Sequence, residues 1–246
     1  TQNSAIVQMG APGTQKVELY DGTSWSETNI YNNIKYQRNV AGTTNAAVFS
    51  GGNPSFVTCV EEYNGLTFVN SCNLLTGMAQ GNMSCIGTQD AAIVAGGYTP
   101  SQIACTQEYT KDLLVPYTTC VWTSGASLIK PRKELAGAGT QNAGLAFGGG
   151  DPSLSCTEEF DGTSWTAGGA MGGAGFYIAG FGTQNAAVRA GGYGTLTTVE
   201  EYNGSTWAGG GALSVGRYVM TGTGTQNAGL AIGGIPSGQT TEEYNG

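Results

Sequence analysis

Four pairs of adjacent glutamates, Glu61-Glu62, Glu158-Glu159, Glu200-Glu201 and Glu242-Glu243, are each followed at once by Tyr or Phe. Neighbouring carboxylates are the usual material of general acid–base pairs and of calcium sites. Their recurrence at one equivalent place argues against both roles, because an active site is normally single and is not copied into each repeat. The chain contains 0 histidines. It therefore has no imidazole to activate a serine or cysteine, to ligate zinc or copper, or to titrate near neutral pH. The expectation is a protein that is not an enzyme, with no catalytic residue, no cofactor and no metal site.

The remaining candidates are cysteines, sequons and a short basic segment. Cys59, Cys72, Cys85, Cys105, Cys120 and Cys156 form an even set of 6 with no Cys-x-x-Cys spacing. That disfavours zinc and leaves disulfides or free buried thiols. Asn82-Met83-Ser84 and Asn203-Gly204-Ser205 fit the N-glycosylation sequon. Lys130, Arg132 and Lys133 concentrate positive charge in the segment LIKPRKE of the longest repeat. Departures from a repeat's own template are where partners dock, so these three residues are the expected partner contact, with neutral loop drift as the alternative.

The elements that must position these residues follow from an internal period. The segment GTQNAGLAFGG, Gly139 to Gly149, returns about every 43 residues, in units that start near residues 1, 42, 87, 139, 182 and 224. In the fourth unit, LAGAG is a short apolar run, TQN a polar turn, and AGLAFGG a second apolar run closed by glycines. SCTEEF reads as a third strand, DGTS as a turn and WTAGG as the start of a fourth. The first two strands are runs of Ala, Gly, Val, Leu and Ile rather than alternating sequences. Strands of that kind are covered on both faces, and small residues let the covering layers come close. Four-stranded meanders stacked face to face around an axis meet both conditions, which defines a β-propeller. Gly at 42 of 246 residues and a charged fraction of 11% fit short strands and tight turns.

The markers themselves resemble the kelch repeat: a glycine pair closing an apolar strand, an aromatic ending the third strand and Trp opening the fourth. They are Gly51-Gly52 with Tyr63 and Phe68, Gly96-Gly97 with Tyr109 and Trp122, Gly148-Gly149 with Phe160 and Trp165, and Gly191-Gly192 with Tyr202 and Trp207. The first unit keeps Tyr20 and Trp25 but has Met9-Gly10, and the last keeps Gly233-Gly234 and Tyr244 without a Trp. The wording is also similar to kelch-like arrays in structural and tail-fibre proteins of phages and aquatic viruses. The resemblance implies an all-β, kelch-like propeller spanning residues 1–246 as a single domain, with structural roles for the glycines and aromatics. Kelch-type copper oxidases need histidine ligands, so it transfers no catalytic residue.

The chain opens at Thr1 on the turn before a second strand, without Met, and closes at Gly246 after a third. The expectation is a six-bladed propeller whose first blade lacks an inner strand and whose last lacks an outer one. Missing flanking sequence such as a removed leader, completion by neighbouring subunits, or a five-bladed ring with the hairpin Thr225 to Gly246 docked elsewhere would each account for this. If Tyr63 faces Phe68 across its hairpin, Cys59 faces Cys72 and the two can bridge. Cys105 joins Cys120 by position in the same unit, leaving Cys85 and Cys156 to pair across blades or stay free.

A balance of 9 Lys plus Arg against 17 Asp plus Glu, with pI near 4.4, offers no basic track for nucleic acid. No apolar stretch is long enough to insert in a membrane as a helix. Open strand edges recruit other chains, and disulfides form outside the cytosol. The sequence is therefore expected to encode a non-catalytic extracellular or virion-surface structural protein, a filament or appendage subunit that self-associates through blade edges and loops. A carbohydrate-binding propeller lectin or adhesin, with exposed aromatics stacking on glycans, is the alternative.

Overall fold

The computed structural model describes residues 1–8, 16–28, 38–52, 57–77, 79–112, 119–150 and 152–246. Six antiparallel sheets follow one another along the chain, the architecture of a six-bladed β-propeller, and the described residues contain strands and turns only. The chain divides into two compact units, Asn3–Pro131 and Arg132–Gly246 with Thr1–Gln2.

In the first unit, sheet 1 is β1 (Ala5–Gln8), β2 (Val17–Tyr20) and β3 (Trp25–Glu27). Sheet 2 is β4 (Asn39–Thr43), β5 (Ala46–Ser50), β6 (Val60–Tyr63) and β7 (Phe68–Asn70). Sheet 3 holds β8 (Ala79–Gly87), β9 (Ala91–Thr99), β10 (Ser101–Gln102), β11 (Thr106–Asp112) and β12 (Thr119–Ser124). In the second unit, sheet 4 is β13 (Ala136–Thr140), β14 (Ala143–Phe147), β15 (Thr157–Phe160) and β16 (Trp165–Ala167). Sheet 5 is β17 (Ala179–Thr183), β18 (Ala186–Ala190), β19 (Val199–Tyr202) and β20 (Trp207–Gly209). Sheet 6 is β21 (Thr221–Thr225), β22 (Ala228–Ile232) and β23 (Thr241–Tyr244). Among the described residues the first and last sheets thus have three strands, sheet 1 without an inner strand and sheet 6 without an outer one.

Local chemistry explains the repeated wording. Gly139 sits at φ +102°, and a Cβ there would stand 2.1 Å from the Ala143 carbonyl oxygen across the hairpin. Only glycine closes the turn into TQN, and Gly42, Gly87, Gly182 and Gly224 repeat the geometry. In four of the sheets the Asn or Asp after the third-strand aromatic makes an Asx turn: Asp161 Oδ1 accepts from Thr163 N and Ser164 N, each at 2.8 Å. Asp21, Asn64 and Asn203 do the same in their sheets. The turn then sets the third-strand aromatic beside the fourth-strand one, with ring centroids 5.0 Å apart for Phe160–Trp165 and Tyr202–Trp207.

Sheet 3 departs from its sequence reading. Gly96-Gly97 does not end β9, because β10 folds back on Tyr98 and Thr99 and supplies them with ladder partners. β11 and β12 pair from Gln107↔Ser124 to Asp112↔Thr119, a longer ladder than its counterparts. Residues 113–118, the centre of the insertion read from sequence, lie outside the described residues.

Candidate functional site: blade seams, an open edge and an aromatic cluster

The glutamate pairs are divided between two structural tasks. The first glutamate meets a buried arginine of its own blade: Arg38–Glu61, Arg132–Glu158, Arg189–Glu200 at 2.9 Å and Arg217–Glu242 at 2.6 Å. These are all the arginines of the chain, and their exposures are 7%, 0%, 2% and 0%. Arg132 also donates to the carbonyls of Gly148 and Cys156, and Arg217 to those of Gly233 and Thr240. Arg38, which donates to the carbonyls of Phe49 and Cys59, Arg132 and Arg217 thereby tie the end of the second strand to the start of the third, whereas Arg189, inside β18, meets Glu200 without such a carbonyl clasp.

The second glutamate reaches into the next blade. Tyr109, Tyr202 and Tyr244 donate their hydroxyls to Glu62, Glu159 and Glu201. Burial first, then the neighbouring carboxylate, pushes Tyr202 and Tyr244 up to about 12. Burial alone would raise Glu62, but bonds from Lys111, Tyr109 and Ser71 outweigh it and hold the carboxyl below its ordinary value. The glutamine of TQN forms a parallel latch: Gln89, Gln184 and Gln226 each donate to two backbone carbonyls of the preceding sheet.

The fourth-strand aromatic closes the seam on the preceding blade. Trp122 Nε1 donates to the Cys72 carbonyl at 2.9 Å, and Trp207 Nε1 to Thr157 Oγ1 at 2.9 Å with its ring 5.0 Å from Phe147. Phe68 lies in the corresponding cluster with Val17 and Phe49. The seam of sheets 5 and 6 has the same apolar cluster, Phe181, Val188, Ala190, Val199 and Met220 with Leu213 and Tyr244 at its side, but no Trp. A hollow lined by Ala190, Val199, Leu213, Ala231, Glu242 and Tyr244 among others stands there. No described strand pairs with β23 on the side away from β22.

A second feature lies at the entrances to the inner strands of the second unit. Glu134, Tyr177 and Val219, each two residues ahead of an inner strand, adopt φ values of +58°, +55° and +55°. Such left-handed backbone is costly for bulky side chains, about 1–3 kcal/mol each. Hydrogen bonds from Tyr177 N to Glu134 O at 3.1 Å and from Val219 N to Tyr177 O at 3.0 Å hold these residues in sequence. Around them Phe176 stacks on Tyr193 with centroids 4.7 Å apart and planes at 19°, and Tyr218 meets Tyr193 edge-on at 5.5 Å. Tyr193 is 57% exposed. Burial and the Glu134 carboxylate push Tyr177 up to about 12.

The sequence-stated sites fare unevenly. Lys130 is exposed and Lys133 half-buried, 3.6 Å from Glu134, but Arg132 is fully buried on Glu158, so the reading of Arg132 as a partner contact is corrected. The disulfide readings Cys59–Cys72 and Cys105–Cys120 are corrected, since Cys72 bridges Cys120, while Cys85 and Cys156 stay free, one of the two outcomes left open for them. The Tyr63↔Phe68 register holds, yet both strands end before Cys59 and Cys72, and Cys72 turns to the next sheet. The β11–β12 register places Cys120 opposite Lys111, several positions along the strand from Cys105. Burial pushes the Cys85 thiol up to about 12. Cys156 Sγ lies 3.1 Å from the Arg132 guanidinium. Asn203 is exposed, with its Oδ1 engaged in the Asx turn, while Asn82 is in β8 with its side chain outside the described residues.

Sequence reasoning missed the arginine–glutamate clasps and singled out only Arg132, for a different role. The one signal was placement, since Arg132 and Arg217 stand at equivalent points ahead of Gly139 and Gly224.

No family model matches the chain, and no curated protein matches it. Among solved structures the chain is similar to one described as the structure of YjhT, with TM-score 0.75 and 14% identity over 98% of this chain and 90% of that one. At that identity the likeness defines the fold: the protein is a six-bladed β-propeller.

Proposed function

We propose that this protein is a non-catalytic, extracellular structural propeller, a subunit of a filament or viral appendage that self-associates through blade edges and loops. The observation that carries the reading is that, among the described residues, no strand pairs with β23 on the side away from β22, since a strand edge of this kind templates addition of another chain. The engagement of the recurrent glutamates in arginine and tyrosine contacts supports a packing role for them, and the Cys72–Cys120 bridge is compatible with an oxidising compartment. The kelch-like spacing of glycine pairs and aromatics, and its likeness to phage and aquatic-virus arrays, fits the same reading. Negative-stain microscopy with light scattering over a concentration series is expected to find fibres or growing oligomers. A monodisperse monomer throughout the series would refute self-assembly.

One observation favours carbohydrate binding as a second reading. The exposed Tyr193, backed by Phe176 and flanked by the Tyr218 ring, offers an apolar face of the kind that stacks on sugar rings. A glycan array is expected to give signals that Tyr193→Ala abolishes. Equal signals from both proteins, or none from either, would remove this reading.

A further inference from the structure

We infer that the Arg189 guanidinium forms, beneath the glycine loop 172–175 of the second unit, a binding site for a small monocarboxylate of the size of formate or acetate. The site needs neither a second copy of the chain nor a glycan, so it stands apart from both readings above.

Sheet 5 builds the arginine clasp from the opposite side to its neighbours. In sheets 4 and 6 the arginine precedes the inner strand, and the second-strand residue opposite the first glutamate is alanine: Ala146 faces Glu158 and Ala231 faces Glu242. In sheet 5 the two residue types are exchanged, with Gly175 at the arginine's place and Arg189 opposite Glu200. Backbone bonds establish the equivalence. Gly175 N donates to Leu154 O as Arg217 N does to Leu196 O, and Gly175 O accepts from Gly149 N as Arg217 O does from Gly192 N, the latter two at 2.9 Å.

The exchange changes which guanidinium atoms are engaged. Arg217 uses Nη1 on two carbonyls and Nη2 on Glu242, and the atom left without a partner is Nε. Arg189 does the reverse: Nε donates to Glu200 at 2.9 Å, and Nη1 is buried with no hydrogen-bond partner among the described residues, in a residue 2% exposed. A buried guanidinium N–H without an acceptor is costly, so a ligand that supplies one is favoured. The Nη edge faces the glycine loop. A Cβ on Gly175 would stand 3.0 Å from Nη1, and one on Gly173 would meet Nη2 at 3.9 Å with no other atom beyond its chain neighbours within 4 Å. Gly172 and Ala174 are exposed and Gly173 half-buried, so the approach to the guanidinium runs through this loop and admits only a small group. The paired Nη donors match the two oxygens of a carboxylate. Glu200, which also accepts from Gly172 N at 3.1 Å, already sets one negative charge beside the guanidinium, which favours a monoanion over a phosphate dianion.

The test uses the whole chain and sodium acetate at constant ionic strength, followed by saturation-transfer NMR of the acetate methyl group. Saturable binding at millimolar acetate is expected, with equal concentrations of chloride or phosphate failing to displace it. Arg189→Lys keeps the charge and removes the paired donors, so it is expected to weaken binding about tenfold. The double variant Gly175→Arg with Arg189→Ala rebuilds the arrangement of sheets 4 and 6 and is expected to melt no lower than the parent and to bind no acetate. Absence of binding to the parent, which leaves the Nη donors to water, overturns the site. So does binding that Arg189→Lys or the double variant retains in full, or that chloride displaces equally well. Should the double variant fail to fold, Arg189→Lys alone decides.

Discussion

Arg132→Ala is expected to cost about 3–5 kcal/mol of folding stability, the usual result of leaving one member of a buried ion pair without the other. The side chain is fully buried and serves Glu158 and the backbone carbonyls of Gly148 and Cys156. Loss of the guanidinium strips its donors from Glu158 and the Gly148 carbonyl, while the Cys156 carbonyl keeps its bond from Gly148 N, and leaves a void in its place, and both effects act in the same direction. Urea denaturation followed by tryptophan fluorescence would measure the shift in midpoint, with Lys130→Ala, at an exposed position, expected within about 0.5 kcal/mol of the parent. The double variant Arg132→Met with Glu158→Met separates charge from space. If the stranded carboxylate is the main cost, the double variant recovers much of the loss, since apolar residues of similar volume replace buried pairs at little penalty. A single variant no less stable than the parent would show that the arginine is not the clasp described here.

The glycines and aromatics made the fold legible because each reports a local necessity. Gly139 answers a clash with a hairpin carbonyl, and the Tyr–Trp pairs answer a turn of fixed geometry, so their spacing carries the blade. The arginines were not legible in the same way. Adjacent glutamates in a strand point to opposite faces, and only the packed structure tells which face meets an arginine and which meets the tyrosine of the next blade. The arginines also reach their glutamates from different places: Arg189 lies in β18, while Arg38, Arg132 and Arg217 precede inner strands. The hollow beside Leu213 and Tyr244 emerges only from comparing two clusters in space.

Reduction of Cys72–Cys120 is expected to lower the stability of the Asn3–Pro131 unit by about 4 kcal/mol, from the chain entropy regained when a cross-link over 48 residues is opened. The bridge joins the end of the third hairpin of sheet 2 to β12 of sheet 3, next to the bond from Trp122 to the Cys72 carbonyl, so its loss also loosens the indole that closes this seam. Register arguments could not find it because they pair residues within one sheet, whereas this bond crosses between sheets. Thermal melts with and without reductant, repeated on a Cys72→Ala, Cys120→Ala double variant, would give the size of the effect. Cys59→Ser and Cys105→Ser, which remove thiols from one equivalent place in neighbouring blades, are expected to leave the reductant-sensitive fraction of the melt unchanged. Peptide mapping of the unreduced protein supplies the decisive outcome, since a linked peptide containing Cys59 and Cys72 would restore the in-sheet pairing and remove the staple from the seam.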